Sequence, residues 1–232
     1  MTNTALIVGA GSGISASFAR LLAKDGYRVA LASRDPAKLT RLVAETNATT
    51  HTCDAANPAS VDKLFADIDQ QFQKLDVCLF NASARAPGPI TDVDREQART
   101  ALLVSSYGGF LVAQAAAQRM LPHGAGTILL TGASASVKGY PHSAVFGMGK
   151  FALRGLAQSM ARELAPKGIH VAHFVIDGGV RNAEKGRVEG SNMAADSYLD
   201  PDAIAQSYLH VLQQPRSAWT WEVELRPWVE KF

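Results

Sequence analysis

The chain has 232 residues, of which 47% are hydrophobic and 19% charged, a composition typical of globular proteins rather than of disordered or fibrous ones. Its formal net charge of +2 is too close to balance to indicate nucleic acid or an anionic membrane as a partner. The sequence contains no run of eighteen apolar residues, so we expect no membrane-spanning helix.

Short apolar runs alternate with helical patterns almost from end to end. The predicted strands are Thr4–Gly9, Arg28–Ser33, Thr50–Cys53, Asp76–Asn81, Gly126–Gly132, Ile169–Ile176 and Trp219–Leu225. The predicted helices are Gly13–Lys24, Pro36–Glu45, Ser60–Lys74, Arg95–Met120, Ala144–Leu164 and Pro201–Leu212. Near-continuous apolar strands joined by helices are typical of a parallel sheet that is covered on both faces. We therefore expect an α/β fold with a doubly wound parallel sheet of about seven strands, in one domain spanning residues 1–232.

Two further features concern the connections. Asp35 and Asp200 each precede a proline at the start of a predicted helix, which is the pattern of an N-cap followed by proline. The longest segment without clear periodicity is 178–200, and a loop of that length inside a compact domain is usually functional. We interpret this segment as a substrate-binding loop or lid.

Cysteine and histidine positions argue against covalent or metal cross-links. Cys53 and Cys78 lie beside or inside predicted strands, where free thiols of a reducing compartment are expected. His170 and His173 would point to opposite faces of one strand, so no metal site is predicted. The N-terminal residues lack the pattern of a signal peptide, and we expect a cytoplasmic protein.

The first strand leads into VGAGSGIS, residues 8–15, and then into a helix. Glycines let the backbone turn tightly beside a phosphate, and a helix N-terminus presents free amide donors to it. This position after the first strand favours dinucleotide binding over a purely structural turn. The residues predicted to contact the cofactor here are Gly9, Gly11, Ser12, Gly13 and Ile14.

Gly9, Gly13 and Ile14 resemble the Gly-x-x-x-Gly-Ile-Gly loop of the short-chain dehydrogenase/reductase family, with Ser15 replacing the third glycine. The resemblance continues in the correct order across nearly the whole chain, and it implies a Rossmann-like NAD(P)-binding domain. Its other members are Asp54 at the adenine-contacting position, Asn81 and Ala82 in a degenerate Asn-Asn-Ala-Gly motif, Lys150 of Tyr-x-x-x-Lys, and Gly178 and Val180 in the segment that meets the nicotinamide.

The end of the second strand indicates which cofactor is preferred. An NAD enzyme places a carboxylate there, whereas this chain has Ser33 followed by Arg34. A hydroxyl and a fork-shaped guanidinium suit the 2′-phosphate of NADP, so NADP is favoured over NAD. The alternative is that Arg34 caps a surface turn or pairs with Asp35.

The resemblance also implies four catalytic positions, and only Lys150 is unchanged among them. Phe146 stands four residues before it, where the family has its proton-donating tyrosine. Ala133 occupies the position of the substrate-binding serine, with Ser134 next to it, and Ser105 replaces the asparagine of the proton relay. Because general acid–base catalysis contributes about 10²–10⁴-fold, the loss of the tyrosine hydroxyl is a large change.

Tyr140 is the candidate for a substitute proton donor, and Ser134 could polarise a carbonyl oxygen. The alternative for Tyr140 is an aromatic wall of the substrate pocket. Lys150 retains its implied role of binding the nicotinamide ribose.

These residues favour an NADP-dependent oxidoreductase that acts on a small carbonyl compound or secondary alcohol. The alternative is a nucleotide-binding protein that has lost dehydrogenase chemistry and serves as a sensor or assembly partner. A third possibility, another Rossmann-like enzyme such as a methyltransferase, is disfavoured by the order of the motifs. The helices Arg95–Met120 and Ala144–Leu164 resemble those that associate in family dimers and tetramers, so a homodimer or homotetramer is expected.

Overall fold

The computed structural model describes residues 2–231. Seven strands run through these residues: β1 (Thr4–Val8), β2 (Arg28–Ser33), β3 (Thr49–Thr52), β4 (Val77–Phe80), β5 (Gly126–Thr131), β6 (Ile169–Ile176) and β7 (Glu222–Leu225). They form one sheet in the order β3-β2-β1-β4-β5-β6-β7, and every neighbouring pair is parallel. The predicted doubly wound parallel sheet is therefore confirmed.

The α-helices of the described chain are α1 (Ile14–Lys24), α2 (Thr40–Thr46), α3 (Pro58–Gln71), α4 (Arg95–Leu102), α5 (Gly108–Met120), α6 (Ala144–Leu164) and α7 (Pro201–Leu212). Asp200 caps α7 as predicted, because its carboxylate accepts a hydrogen bond from the Asp202 amide at 2.8 Å. Asp35 does not act as a cap. The chain winds into a 3₁₀ turn at Pro36–Leu39, and the Asp35 carboxylate pairs with Lys38 at 3.0 Å instead.

Helices cover both faces of the sheet, and successive side chains of each strand point to opposite faces. In β1, Leu6 and Val8 pack with residues of α3, α5 and α6. Ala5 and Ile7 pack on the other face with residues of α1, α2 and α7. This two-sided burial explains why the strands read as continuous apolar runs.

Helices α4 and α5 are continuous through a π-helical turn at Leu103–Tyr107. The helical run Arg95–His123 is 29 residues long and contains an 18-residue window with a mean hydropathy of 1.3, so by length and composition alone it could cross a membrane. More than half of its apolar window, 56%, is buried inside the protein. Gly109 brings it so close to the neighbouring helix that a Cβ there would lie 2.5 Å from Leu153 Cδ1. It therefore packs as a core helix.

Segment 178–200 is held by internal contacts. Val180 pairs with Leu199 as an isolated parallel bridge, and Asn182 pairs with Arg187 as an antiparallel one. The Arg181 guanidinium forms an ion pair with Glu189 at 2.7 Å. The segment folds over the carboxyl ends of the central strands, where the sequence of strands changes direction between β1 and β4 and where α/β folds bind ligands.

Candidate active site

A cleft of about 1240 Å³ opens over the carboxyl ends of β1, β2, β4, β5 and β6. It gathers the predicted cofactor-binding residues from separate parts of the chain into one wall. Those that line it are Gly9, Gly11, Ser12, Gly13, Ile14, Ser33, Arg34, Asp54, Asn81, Ala82, Lys150, Gly178 and Val180.

The glycine loop has the geometry of a phosphate cradle. Gly9 adopts φ +84°, and a Cβ there would lie 2.3 Å from the Ala82 nitrogen, so no other residue fits without displacing the backbone. Gly11 faces open space, with no described atom within 4 Å of a Cβ built on it. Gly13 begins α1 without a side-chain cap, which leaves amide donors of the first turn available to an anion.

Ser15, the departure from the third glycine of the motif, has gained a structural role. Its hydroxyl donates a hydrogen bond to the Gly9 carbonyl at 3.1 Å and accepts one from Asn81 Nδ2 at 2.7 Å. The serine therefore joins the glycine loop to the end of β4. The replacement changes how the loop is held and leaves its path intact.

The end of β2 presents groups that suit a phosphate. The Ser33 hydroxyl oxygen is inaccessible to solvent and finds no hydrogen-bond partner within residues 2–231. Arg34 lies next to it without an ion pair to any described residue, and Asp35 pairs with Lys38 rather than with Arg34. Lys38 also lines this end of the cleft, a contribution that the sequence analysis did not foresee. An orphaned buried hydroxyl beside two cations fits the adenosine end of a dinucleotide that carries a 2′-phosphate.

Lys150 lies at the other end of the cleft with only 3% of its surface exposed. Its ammonium donates a hydrogen bond to the Thr131 carbonyl at 2.7 Å. Burial, with a smaller contribution from the charge of Arg85, lowers the pKa of Lys150 to about 7. A buried ammonium with one fixed acceptor has further donors to offer to ribose hydroxyls.

Phe146, which the sequence resemblance places at the tyrosine position, takes part in cation–π contacts. The Phe146 side chain is buried, and the guanidinium carbon of Arg85 lies 3.9 Å from its ring centroid. Lys150 Nζ lies 5.8 Å from the same centroid. The ring holds no dissociable proton, so Phe146 contributes a surface for packing rather than an acid.

The two serines predicted at the catalytic end lie in different places. Ser134 lines the cleft beside Ala133. Ser105 is buried under the loop that follows β4, where its hydroxyl accepts from the Ala84 amide at 3.0 Å and donates to the Ala84 carbonyl at 3.2 Å. The hydroxyl of Ser105 therefore holds this loop and does not face the cleft.

Tyr140 lines the cleft and is 41% exposed. Lys138 Nζ lies 5.7 Å from the Tyr140 ring centroid and 3.4 Å from an Asp177 carboxylate oxygen. Hydrogen bonding to Tyr140, and then to Asp177, raises the pKa of Lys138. Tyr140 thus lies at the opening of the catalytic end beside Lys138, whose raised pKa keeps its amine protonated.

A polar network is buried beneath this end of the sheet. His173 Nδ1 donates to Glu222 at 3.0 Å, and both oxygens of Glu222 accept from Arg154. Burial raises the pKa of Glu222, but the hydrogen bonds and charges of Arg154 and His173 together outweigh it and hold that pKa below its ordinary value. Burial lowers the pKa of His173 to about 4, so the imidazole is neutral and its Nε2 can accept from Ser136, 3.4 Å away.

Three cleft residues were missed by the sequence analysis besides Lys38. Arg85 and Arg187 face the catalytic end, and Asn182 Nδ2 donates to Ser12 Oγ at 3.2 Å across the cleft. None stands in a periodic pattern or a motif, because loop residues that meet through tertiary contacts have no fixed spacing in the sequence.

Comparisons with known proteins agree with this geometry. The family model described as short chain dehydrogenase matches residues 3–184. A short-chain dehydrogenase from Rhodopseudomonas palustris is 36% identical, with a TM-score of 0.83 over 97% of this chain and 99% of that chain. An uncharacterized oxidoreductase of Staphylococcus aureus strain N315 is 29% identical over 229 residues, 96% of each chain.

An alcohol dehydrogenase from the archaeon Thermococcus sibiricus, complexed with 5-hydroxy-NADP, superposes with a TM-score of 0.87. At 24% identity over 100% of this chain and 99% of that chain, it shows a shared fold. The family match covers well over half of the chain. This protein belongs to the short chain dehydrogenase family.

Proposed function

We propose that this protein is an NADP-dependent oxidoreductase that acts on a small carbonyl compound or secondary alcohol and uses a non-standard proton donor. The observation that carries the proposal is the continuous cleft, which joins a basic end at Arg34 to the buried ammonium of Lys150. A dinucleotide would span these two groups with its diphosphate on the glycine loop. The cofactor residues and the catalytic residues thus belong to one site.

The preference for NADP rests on the end of β2. Ser33 offers an unpartnered hydroxyl, and Arg34 forms no ion pair with a described residue. No carboxylate stands at the Ser33 position itself, where it would repel a phosphate, and Asp35 is paired with Lys38. Structural neighbours solved with 5-hydroxy-NADP and with NADPH, the latter an actinorhodin polyketide ketoreductase, support this choice.

When bound, the nicotinamide supplies or accepts the hydride. Lys150 binds the ribose hydroxyls, and the bound ribose gives its buried ammonium further partners. Phe146 excludes water from the face of the reacting carbon, and Ser134 polarises the substrate oxygen. Tyr140, or a water ordered beside it, delivers or removes the proton of that oxygen, with Lys138 as the adjacent cation. Segment 178–200 closes the site as a substrate-binding lid.

A binding experiment and an activity screen test this function. NADPH and NADH are titrated by fluorescence, and carbonyl compounds are then screened with the wild type, Tyr140→Phe and Phe146→Tyr. We expect tighter binding of NADPH, turnover by the wild type, and a loss of about 10²-fold in kcat for Tyr140→Phe. Tyr107→Phe is the matched control, because Tyr107 is an exposed tyrosine that does not line the cleft.

Two outcomes would contradict the proposal. If neither nucleotide binds, the cofactor assignment is wrong. If NADPH binds tightly without turnover, and turnover is gained in Phe146→Tyr, the protein is a nucleotide-binding sensor or assembly partner instead. Unchanged activity of Tyr140→Phe would exclude Tyr140 as the proton donor and leave the ordered water.

We also propose that the protein forms a homodimer or homotetramer in the cytoplasm. Tyr107 and Phe110 stack at 6.2 Å and are both exposed, and Met148 and Phe151 are exposed on α6. An outward apolar surface on these helices supports self-association. Light scattering after gel filtration should give a mass above the 24.7 kDa of one chain, and Phe151→Asp should lower it.

A further inference from the structure

We propose that Arg85 and Arg187 bind a negatively charged oxyanion group of the substrate, a carboxylate or a phosphate, at the catalytic end of the cleft. This site narrows the substrate class of the proposed oxidoreductase, on which it rests, to acidic carbonyl compounds or alcohols. Neither arginine belongs to a motif of the chain, and both line the same cleft as Phe146 and Lys150.

Arg85 is held over the ring that replaces the family's tyrosine. Its guanidinium carbon lies 3.9 Å from the centroid of Phe146. A guanidinium stacked on an aromatic face keeps the N–H donors in its own plane available to another partner. The Phe146 ring therefore positions the guanidinium of Arg85, a role that needs no hydroxyl.

The charge around Arg85 is not compensated by the protein. Within residues 2–231, no carboxylate lies within 4 Å of the guanidinium of Arg85 or of Arg187. Burial, and then the charge of Arg187, lower the pKa of Arg85; burial, and then the charge of Arg85, lower the pKa of Lys150. Positive charges that share one cleft without an ion-pair partner are unfavourable, so this end of the cleft favours a negatively charged ligand.

The acidic residues that line the cleft do not relieve this charge. Asp177 is engaged by Lys138 and Arg226, and Asp35 by Lys38. Asp54 accepts a hydrogen bond from the Ala56 amide at the adenosine end. The remaining acidic lining residues are Glu184 and Glu230, both exposed and neither paired with the two arginines.

The backbone on either side of Arg85 is fixed. Ser105 bonds both the N–H and the C=O of Ala84, at 3.0 and 3.2 Å, and Ala86 is buried. The position that the family gives to its relay asparagine is thus used to hold the residue before Arg85. Two of the altered catalytic positions, Ser105 and Phe146, act on the same arginine, which makes Ser105 a positioning residue for this site.

Arg187 approaches from the lid. Its backbone exchanges two hydrogen bonds with Asn182, at 2.8 and 2.9 Å, and the Asn182 side chain donates to Ser12 of the glycine loop. The backbone of Arg187 is therefore held by hydrogen bonds within the lid. An anion between the two arginines would connect the lid to the loop after β4, in the manner of charge-assisted pairs.

The experiment measures binding of benzoylformate and of its neutral methyl ester to the protein saturated with NADP⁺, by calorimetry. We expect the wild type to bind the acid about tenfold more tightly than the ester, and Arg85→Gln and Arg187→Gln each to lose about tenfold in affinity for the acid alone. Phe146→Leu should lose about threefold, because Arg85 loses its platform. Arg162→Gln, which removes an exposed arginine of α6 outside the cleft, is the matched control.

The results of these measurements distinguish a failure of the anion site from a failure of the proposed oxidoreductase function. No binding of benzoylformate by the wild type, equal binding of acid and ester, or no loss in the two arginine variants would each overturn the site. If these variants weaken NADPH binding instead, the arginines serve the diphosphate of the cofactor and the inference is wrong. If the acid binds as expected but no carbonyl compound is turned over, the anion site stands and the proposed oxidoreductase function fails.

Discussion

The two ends of the cleft differ in what holds them together. The cofactor end is built from backbone: the turn at Gly9, the open path at Gly11 and the uncapped start of α1. The catalytic end depends on side-chain groups, and there Phe146 and Ala133 stand at positions where the family resemblance leads us to expect hydroxyls. A site made of amides tolerates a change such as Ser15, because any residue supplies an N–H. A proton donor has no such substitute in the backbone, so a single replacement removes its function.

Lys150 belongs to both ends, and its removal should have the largest effect. The fall of its pKa from 10.5 to about 7 means that keeping it charged at neutral pH costs about 5 kcal/mol of stability. We expect Lys150→Met to raise the free energy of unfolding at pH 7 by about 3 kcal/mol and to weaken NADPH binding by about 10–100-fold. Urea unfolding and fluorescence titration measure the two changes.

The pH dependence of the free energy of unfolding tests this prediction. Above pH 7 the folded state loses the proton of Lys150, while the unfolded state keeps it up to about 10.4. Wild-type stability should therefore rise with pH between these values, and the advantage of Lys150→Met should shrink. Lys63→Met, at an exposed surface ion pair, is the control. A destabilised Lys150→Met at pH 7 would show that the ammonium is better satisfied than its burial indicates.

The network under the catalytic end should respond to acid. The pKa of His173 is lowered to about 4, so as the pH falls below its ordinary value of 6.5 the unfolded state takes up the proton first. Stability should fall by about 3 kcal/mol between pH 6.5 and 4 on account of this residue. His173→Asn should flatten that dependence in urea unfolding at pH 7, 5 and 4. His123→Asn, an exposed histidine, should leave the slope unchanged; an equal slope in His173→Asn would contradict the burial argument.

We expect a substitution at the end of β2 to reverse the preference for NADPH over NADH. Ser33→Asp places a carboxylate where the hydroxyl now lacks a partner, so it should repel the 2′-phosphate and accept the ribose hydroxyls. The ratio of NADH to NADPH dissociation constants should fall by about 100-fold, as measured by fluorescence titration. Ser159→Asp, on the exposed side of α6, controls for added negative charge. An unchanged ratio would mean that the phosphate is bound elsewhere.

The smallest effect is expected where a family glycine has become Ser15. Ser15→Ala removes the hydrogen bonds to the Gly9 carbonyl and from Asn81, which should lower stability by about 1 kcal/mol. NADPH affinity should fall only a few-fold, since the backbone amides remain. Thermal unfolding and the same titration measure both, with Ser159→Ala as the reference. A loss of NADPH affinity as large as that expected for Lys150→Met would contradict the contrast between the two ends of the cleft.

The sequence predicted the elements well and the site unevenly. Strand β6 and helices α6 and α7 have their predicted bounds, because long apolar patterns bounded by glycine or proline leave little choice. Strand β7 begins at Glu222 rather than at Trp219, since Trp219 stacks on His170 instead of joining the ladder. The residues that the family resemblance predicts for cofactor binding line one cleft, because they depend on a fixed local backbone.

The contacts of the catalytic end were beyond sequence patterns. Ser105 could be placed at its family position, but its bonds to Ala84 depend on how the loop after β4 packs. Arg85 and Arg187 come together from loops about a hundred residues apart, and nothing in their local sequence distinguishes them from surface arginines.

The hydrogen bond between Asn182 and Ser12 has a consequence for the order of events. It joins the lid to the turn on which the diphosphate would lie, so an arriving dinucleotide competes with a contact that the protein makes with itself. The rate of cofactor association should then level off with concentration at the rate at which this latch opens. Because Arg187 is bridged to Asn182, the same opening would move Arg187, and the nucleotide would enter the cleft before the substrate.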